Sequence, residues 1–309
     1  MVLSFAQDHE ISGVLACGAL GAPAQIKSIK AYVYALAGVA DFNFPEFAHF
    51  ILNEPDKPTN LKLQLAGELH QWPSSEDLSQ ALGWLYLNNR TSDAKCISLT
   101  EILKSFSAKG KNMADSLSRN AQYIQMKLIC QNMLEIQNLP DRQYFKDSLE
   151  SVMNSRALNH EMTQLRKSLQ FEEKVREAYY NALASKETEW WSREIKELNS
   201  GIEDSQDQNM KFAFKRIKAF LGIICYSVVN NILRTNDLHH AGKMLEIYRM
   251  VEPQNPDMFY FFALYSFKTG KEELVPGYLR DALENGFTDT LQIRNEFPAA
   301  FLENILPDN

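Results

Sequence analysis

The chain has 309 residues and a formal net charge of −7, with 45% hydrophobic and 23% charged residues, a balance that excludes an intrinsically disordered protein. The acidic charge disfavours nucleic-acid partners, because contacts with phosphates require clustered Lys and Arg side chains. The 13 glycines and 11 prolines fall below the average usage of roughly 7% and 5%, which argues against a turn-rich all-β fold and favours helices.

A short motif near the N-terminus, Val14–Gly18, resembles a bacterial lipobox, whose cysteine, here Cys17, would carry a lipid anchor. A lipobox follows an apolar signal segment, and the charged run Asp8–Glu10 interrupts that segment. The longest apolar stretch, residues 219–229, is much shorter than the roughly 20 residues of a membrane-spanning helix. The sequence therefore predicts a cytoplasmic protein without a transmembrane segment, and a periplasmic or membrane-anchored lipoprotein is the alternative.

The first ninety residues show helical periodicity and predict two helical hairpins. In the segment 24–39, the apolar residues that recur at helical spacing are Ile26, Ile29, Val33 and Leu36. A second helix is expected to begin at Pro45 and to end before Pro55, because proline cannot continue a helix. The segments 61–70 and 78–87 are the third and fourth expected helices.

The middle of the chain predicts long helices. One helix is expected over 113–136. Residues 144–186 contain neither Pro nor Gly, which predicts either one very long helix or two helices with a subtle break. A further helix over 187–202 precedes a linker expected at 201–208, where Gly, Ser and acidic residues are concentrated. The last long helix is expected over 210–234.

Two tryptophans are adjacent in the helix expected over 187–202. Neighbouring side chains on a helix point about 100° apart, so Trp190 and Trp191 do not share a face. We therefore expect one indole in the core and the other packed over a neighbouring helix. A stacking platform for a ligand is the alternative interpretation.

An internal repeat occurs at the C-terminal end of the chain, in the consecutive units 222–255 and 256–289. The second unit has aromatic, small and turn residues at template positions, namely Phe259, Phe262, Ala263, Gly270, Leu279 and Ala282. The first unit has Ala241, Leu245 and Pro253 at such positions. Small residues let the two helices of a hairpin approach, and Gly270 supplies the left-handed turn between them.

This part of the chain resembles the tetratricopeptide (TPR) repeat family, and the resemblance covers about a quarter of the sequence. The segment 286–297 is also similar to the tail that often follows the last unit in bacterial members. The chain departs from the family pattern at several positions, namely Val229, Asn236, Tyr248, Val275 and Phe287. The resemblance implies paired helices that stack into a solenoid-like array with a concave groove.

In TPR proteins the first helix of each unit lines the groove, so the resemblance implies a partner-binding surface of six residues. These are Tyr226, Asn230, Arg234, Tyr260, Leu264 and Lys268. Asn and Arg side chains can hold a peptide backbone or a carboxylate, and Tyr supplies flat apolar contact. Within the aromatic run 259–262, Tyr260 is the side chain expected outside the core. The alternative is that two units make too short a groove and that these residues contact the long middle helices.

The sequence has no motif that points to a reaction, a cofactor or a metal. His160 begins a stretch that differs from the zinc motif HExxH at one position, where Gln164 replaces the second ligand. The four cysteines are too widely spaced for a zinc site and are expected to be small buried side chains. They are Cys17, Cys96, Cys130 and Cys225. No catalytic residue, cofactor or metal is therefore predicted.

These observations predict an all-α protein in which helical hairpins stack as a solenoid-like array. The expected domains are N-terminal helical hairpins over 1–96, a long-helix segment over 97–205 and TPR-like repeats over 206–309. The leading hypothesis is a non-enzymatic scaffold or adaptor that binds a protein or peptide partner. The alternatives are an envelope-associated lipoprotein or complex subunit with a structural role, and an enzyme with an unrecognised site between helical segments.

Overall fold

The structure, a computed structural model, describes residues 2–89, 99–302 and 305. It is 71% helical with few strands, so the prediction of a mainly helical protein is confirmed. No helix in these residues is both long and apolar enough to cross a membrane. The chain forms two compact units, Met1–Phe171 and Glu172–Asn309, whereas the sequence predicted boundaries after residues 96 and 205.

The first unit combines short strands with helices. Its elements are α1 (Val2–Asp8), β1 (Gly13–Cys17), α2 (Pro23–Ser28), β2 (Tyr32–Ala37), α3 (Phe44–Leu52), β3 (Leu61–Leu65), α4 (Ser75–Asn88), α5 (Leu99–Arg119), α6 (Tyr123–Leu134) and α7 (Arg142–Met153). Helix α8 (Arg156–Ser185) contains the boundary between the units. The second unit continues with α9 (Thr188–Asp204), α10 (Gln208–Thr235), α11 (Leu238–Val251), α12 (Pro256–Lys268), α13 (Val275–Glu284) and α14 (Thr290–Glu296).

The three strands form a parallel sheet in the order β1-β2-β3, with Val33 of β2 paired to Val14 of β1 and to Leu61 of β3. The helices predicted over 24–39 and 61–70 are therefore wrong. Strand β2 is buried along nearly its whole length, as expected for the central strand of a parallel sheet covered on both faces. Its continuous apolar run imitates helical spacing when it is read together with the short helix α2.

Helices α4 and α6 complete the sheet through polar contacts. Trp84 of α4 is fully buried, and its Nε1–H donates to the backbone oxygen of Asn132 at 3.0 Å. The Asn132 side chain of α6 then donates to the backbone oxygen of Leu63 in β3 at 3.1 Å. An exposed strand edge is a template for unwanted pairing, and this contact satisfies one carbonyl at the edge of β3 that no strand among the described residues covers.

Helix boundaries in the middle of the chain differ from the prediction at two places. The single helix expected over 113–136 is wrong, because Ala121 adopts a left-handed backbone (φ 55°) that separates α5 from α6. For residues 144–186 the alternative of two helices is confirmed, as α7 and α8. Gly201 lies inside α9 rather than in a linker, and the connection shortens to 205–207. Asp207 caps α10 by accepting from the backbone N–H of Asn209 at 2.8 Å.

The second unit contains helical hairpins where the repeat was predicted. Helices α10 and α11 pack together, as do α12 and α13. The turn between α10 and α11 uses Asn236 in the left-handed region (φ 60°). The predicted left-handed conformation of Gly270, after α12, is confirmed (φ 73°).

A buried ion cluster joins α8 to α10 in the second unit. Glu172 Oε2 accepts a hydrogen bond from Arg216 Nε at 2.7 Å and lies 2.7 Å from Arg216 Nη2. Glu172 also pairs with Arg176 one turn along its own helix. The side chains of Glu172 and Arg216 are almost completely buried. Removal of the Glu172 carboxylate would leave the buried Arg216 charge without this partner, which makes the cluster sensitive to substitution at Glu172.

The close approach of two loops after β2 and β3 yields a stability prediction. A Cβ atom on Gly38 would lie 2.5 Å from the carbonyl oxygens of Glu68 and Leu69. We expect Gly38→Ala to lower the free energy of unfolding by about 1–3 kcal/mol, because the backbone has to move. The control is Gly277→Ala in α13, where a Cβ meets nothing within 4 Å and the helix gains up to about 1 kcal/mol. Urea unfolding curves that rank the two variants equally would contradict this account.

Candidate functional site

An apolar groove lies in the second unit between side chains of α8, α10 and α11, and it encloses a volume of about 420 Å³. Its apolar lining consists of Tyr180, Leu183, Ala184, Val228, Ile232 and Met244. Its polar residues are Asp237, His240 and Lys243. The groove thus joins an apolar floor to a short polar rim, which is the usual composition of a binding cleft.

Helical spacing positions the lining residues. Tyr180, Leu183 and Ala184 lie three and four positions apart, on one face of the last turns of α8. Val228 and Ile232 lie four positions apart on α10 and share a face in the same way. The left-handed turn after α10 then brings the rim residues of α11 beside these two rows.

The rim residues pair with one another or with a neighbour. His240 Nδ1 lies 2.8 Å from Asp237 Oδ2, and Lys243 Nζ donates to Glu187 Oε1 at 3.4 Å. The hydrogen bond from His240 holds the pKa of the Asp237 carboxyl below its ordinary value. Such exposed pairs contribute little stability and are screened by salt. The rim therefore offers both signs of charge without a strongly charged patch.

Exposed apolar surface marks the mouth of the groove. The Tyr180 side chain is 65% exposed although it lies in a helix that is mostly charged on its outer face. A large aromatic group held this far into solvent by a regular helix is an unsatisfied apolar surface. This exposed apolar surface was not predicted from the sequence. The signal that could have indicated it is the row of Tyr180, Leu183 and Ala184 in an otherwise polar helix end.

The six residues predicted to line a TPR-like groove fall into two groups. Tyr226 and Arg234 on α10 and Lys268 at the end of α12 are exposed, and Asn230 is partly buried. Tyr260 and Leu264 of α12 are buried. Tyr226 and Val228 are two positions apart and point to opposite sides of α10, so the predicted surface and the observed groove lie on different faces of this helix.

The prediction that Tyr260 lies outside the core is wrong. Its ring is only 2% exposed and stacks on Phe287 with the ring centroids 4.8 Å apart. The ring of Phe297, directly after α14, packs edge-on against it. The segment after α13 thus covers this face of α12, which the resemblance to repeat proteins had assigned to a partner.

The tryptophan pair packs within the second unit. Trp191 is fully buried and lies 5.4 Å from the ring of Tyr179, while Trp190 is partly buried and meets Trp191 edge-on. The ammonium group of Lys186 lies 5.9 Å from the Trp190 ring. These contacts bear out the expectation of one core indole and one that packs at the surface.

A second polar constellation lies in the first unit, at the carboxyl ends of the strands. Asp41, only 1% exposed, accepts from the backbone N–H of Asn43 at 2.9 Å, and its Oδ2 lies 2.9 Å from Nδ1 of His70. The His70 ring also covers Gly18, which is left-handed (φ 73°) and follows β1. Loops at this end of a parallel sheet often bind ligands. The contact orients the imidazole and leaves Nε2 as the nitrogen open to a partner.

The described residues do not place an activated nucleophile or a metal centre beside this histidine. Burial raises the pKa of the nearby Cys17 thiol, so it is protonated at neutral pH. Burial raises the pKa of Cys130 and Cys225 to about 12, in keeping with their expected role as buried side chains, and Cys96 lies outside the described residues. No group of three or more metal-ligating side chains occurs within the part of the chain that the structure describes.

Comparisons with protein-family models, curated proteins and solved structures found no match.

The buried position of Tyr260 predicts a structural role for it. We expect Tyr260→Ala to destabilise the second unit by about 3 kcal/mol, the cost of emptying an aromatic site in a packed core. Tyr260→Phe keeps the ring contacts with Phe287 and should remain within about 1 kcal/mol of the parent protein. Chemical denaturation measures both changes. An alanine variant as stable as the parent would show that this ring is not part of the core.

The rim pair predicts a pH effect. The pKa of Asp237 should lie below the ordinary value of about 3.9 and return towards it in His240→Gln. Since the folded pKa is lowered, the contribution of this pair to stability is present above the ordinary value and is lost as pH falls through the lowered one. Carboxyl-carbon NMR titration of both proteins follows the change. Identical titration curves would contradict the pairing.

Proposed function

We propose that this chain is a non-enzymatic helical scaffold or adaptor, and that the groove between α8, α10 and α11 binds an amphipathic helix of a protein partner. In this proposal the hairpins α10–α11 and α12–α13 are TPR-like units of a solenoid-like stack. The apolar groove with the exposed Tyr180 at its mouth is the observation that carries the proposal.

The dimensions of the groove favour a peptide helix as its occupant. A volume of about 420 Å³ accommodates a few large apolar side chains, and three rows of helical side chains form its walls. A partner helix presents such side chains at intervals of three and four residues and buries them together. The polar residues that flank its apolar face would meet the Asp237–His240 and Lys243–Glu187 pairs at the rim.

The pairing of the rim groups favours binding over catalysis. Asp237 and His240 engage each other at 2.8 Å, and Lys243 engages Glu187, so each of these side chains already has a partner within the protein. The apolar floor contributes Val228, Ile232 and Met244, none of which transfers protons. A surface of this kind gains affinity from buried apolar area.

The TPR-like arrangement is supported by local geometry. Gly270 has the left-handed backbone that the hairpin turn requires, and Ala241 and Ala263 are fully buried where two helices approach. Helix α10, with 28 residues, is longer than one repeat helix. Its first half contacts α9, where Phe214 lies beside Gly201 and Lys218 Nζ donates to Asn199 Oδ1 at 2.8 Å. We propose that this extension fixes the repeat pair to the helices before it.

A charge placed in the groove tests the proposal. A photo-crosslinking amino acid at position 180 first identifies the partner, and binding of the purified partner is then measured by calorimetry. Val228→Glu should weaken that binding by at least about tenfold, because a carboxylate would be desolvated against the apolar face of the partner. The matched control is Leu291→Glu on α14, where the parent side chain is 68% exposed and lies away from the groove.

A third variant separates the two faces of α10. Tyr226→Ala combined with Arg234→Ala removes exposed side chains on the face that the family resemblance predicts. Loss of binding in this double variant, with Val228→Glu unaffected, would overturn the groove proposal in favour of the predicted face. If neither Val228→Glu nor the double variant changes binding, the partner binds to neither face of α10.

A further inference from the structure

Three lysines and two glutamates form a charge cluster in the first unit, apart from the groove. The lysines are Lys57 before β3, Lys62 on β3 and Lys127 on α6. The glutamates are Glu54 after α3 and Glu135, directly after α6. Lys57 is partly buried, and its backbone N–H donates to the backbone oxygen of Glu54 at 3.0 Å, so it lies beside the Glu54 end of the cluster. The charges of the four other members also act on its ammonium group.

Two of the lysines are already paired. Lys127 Nζ donates to Glu54 at 2.6 Å, and Gln131 donates to the other oxygen of the same carboxylate. Lys62 Nζ donates to Glu135 and, at 2.7 Å, to the backbone oxygen of Thr59. The side chains of Lys62 and Lys127 are almost completely buried, so both ammonium groups are held in fixed positions.

Lys57 is the lysine of this cluster that belongs to neither ion pair. No carboxylate of the described residues lies within ion-pair distance of Lys57 Nζ, and the neighbouring Asp56 is engaged by Lys27 at 3.6 Å. Burial, followed by the charge of Lys62, lowers the pKa of Lys57. Three ammonium groups therefore face two carboxylates, and the cluster carries one uncompensated positive charge in a partly buried place.

We propose that Lys57, with Lys62 and Lys127 behind it, binds a small oxyanion, such as the phosphate or carboxylate group of a ligand. The oxyanion contacts Lys57 directly and supplies the negative charge that the cluster lacks. Lys62 and Lys127 attract it through their charge while they remain in their own pairs. Lysine suits this role because its ammonium group acts as a compact point charge towards such anions.

The aromatic and polar surroundings keep the cluster in place without neutralising it. The Lys62 ammonium group lies 5.5 Å from the centre of the Trp84 ring, which is itself fixed by its hydrogen bond to α6. Gln131 is uncharged and is turned towards Glu54. A site with two anchored cations and one adaptable lysine has the preorganisation that a small anion requires.

The test uses the full chain in chloride buffer, with inorganic phosphate added at constant ionic strength. Reductive methylation with ¹³C-formaldehyde gives each lysine its own NMR signal and preserves its charge, and Lys57→Gln assigns the signal of Lys57. We expect phosphate to shift this signal saturably and to raise the pKa of Lys57. In Lys57→Gln, phosphate affinity should fall by about tenfold or more, the loss expected of a charge-assisted contact.

Two further variants sharpen the result. Lys146→Gln removes an exposed lysine on α7 of the same unit and should leave phosphate affinity unchanged. Glu135→Gln removes a competing carboxylate and should strengthen binding, an outcome that loss of folded structure would not produce.

An acetate titration identifies the chemical class of the ligand. Tighter binding of acetate than of phosphate indicates a carboxylate ligand. A Lys57 signal that moves no more than that of Lys146 with either anion would overturn the proposal.

Discussion

A parallel sheet of only three strands needs cover on both faces and at its edges, and the first unit is organised by this requirement. Its middle strand is inaccessible to water along nearly its whole length. The Trp84 indole links α4 to α6, and the Asn132 side chain links α6 to β3. The position of α6 determines where Lys127 and Glu135 stand, so the charge cluster is a product of how the sheet is covered.

In the second unit, the described residues form helices and no strands, so its core is built from helix faces. Long helices leave rows of apolar side chains that neighbouring helices have to cover. The stacked rings of Tyr260 and Phe287 show one face covered by the chain itself. The row of Tyr180 and Leu183 shows a face that the described residues leave open, and this difference distinguishes the groove from the rest of the surface.

The sequence predicted those features that depend on local chemistry. The start of α3 near Pro45 and the turn at Gly270 follow from backbone preferences of single residues. The strands were missed because an apolar run in a parallel sheet has no alternation to separate it from a buried helix. The run at 32–37 is rich in aromatic and β-branched residues, and that composition was the available signal.

The candidate site was harder to predict than the fold because it depends on which helix faces meet. The family resemblance indicated an exposed face on α12, and only the position of Phe287 and Phe297 shows that this face is covered. The lysine cluster joins residues about 70 positions apart in the chain, such as Lys62 and Glu135, so no local pattern reveals it. Contacts of this kind depend on tertiary packing rather than on any stretch of sequence.

The buried cluster of Glu172, Arg176 and Arg216 has a consequence for how this protein can vary over evolutionary time. Loss of the Glu172 carboxylate alone leaves the buried Arg216 and the neighbouring Arg176 without the negative charge that both engage. Replacement of all three by apolar side chains of similar volume avoids that cost. Homologous chains should therefore keep the three residues together or lose them together, so this trio serves as a marker for recognising distant relatives.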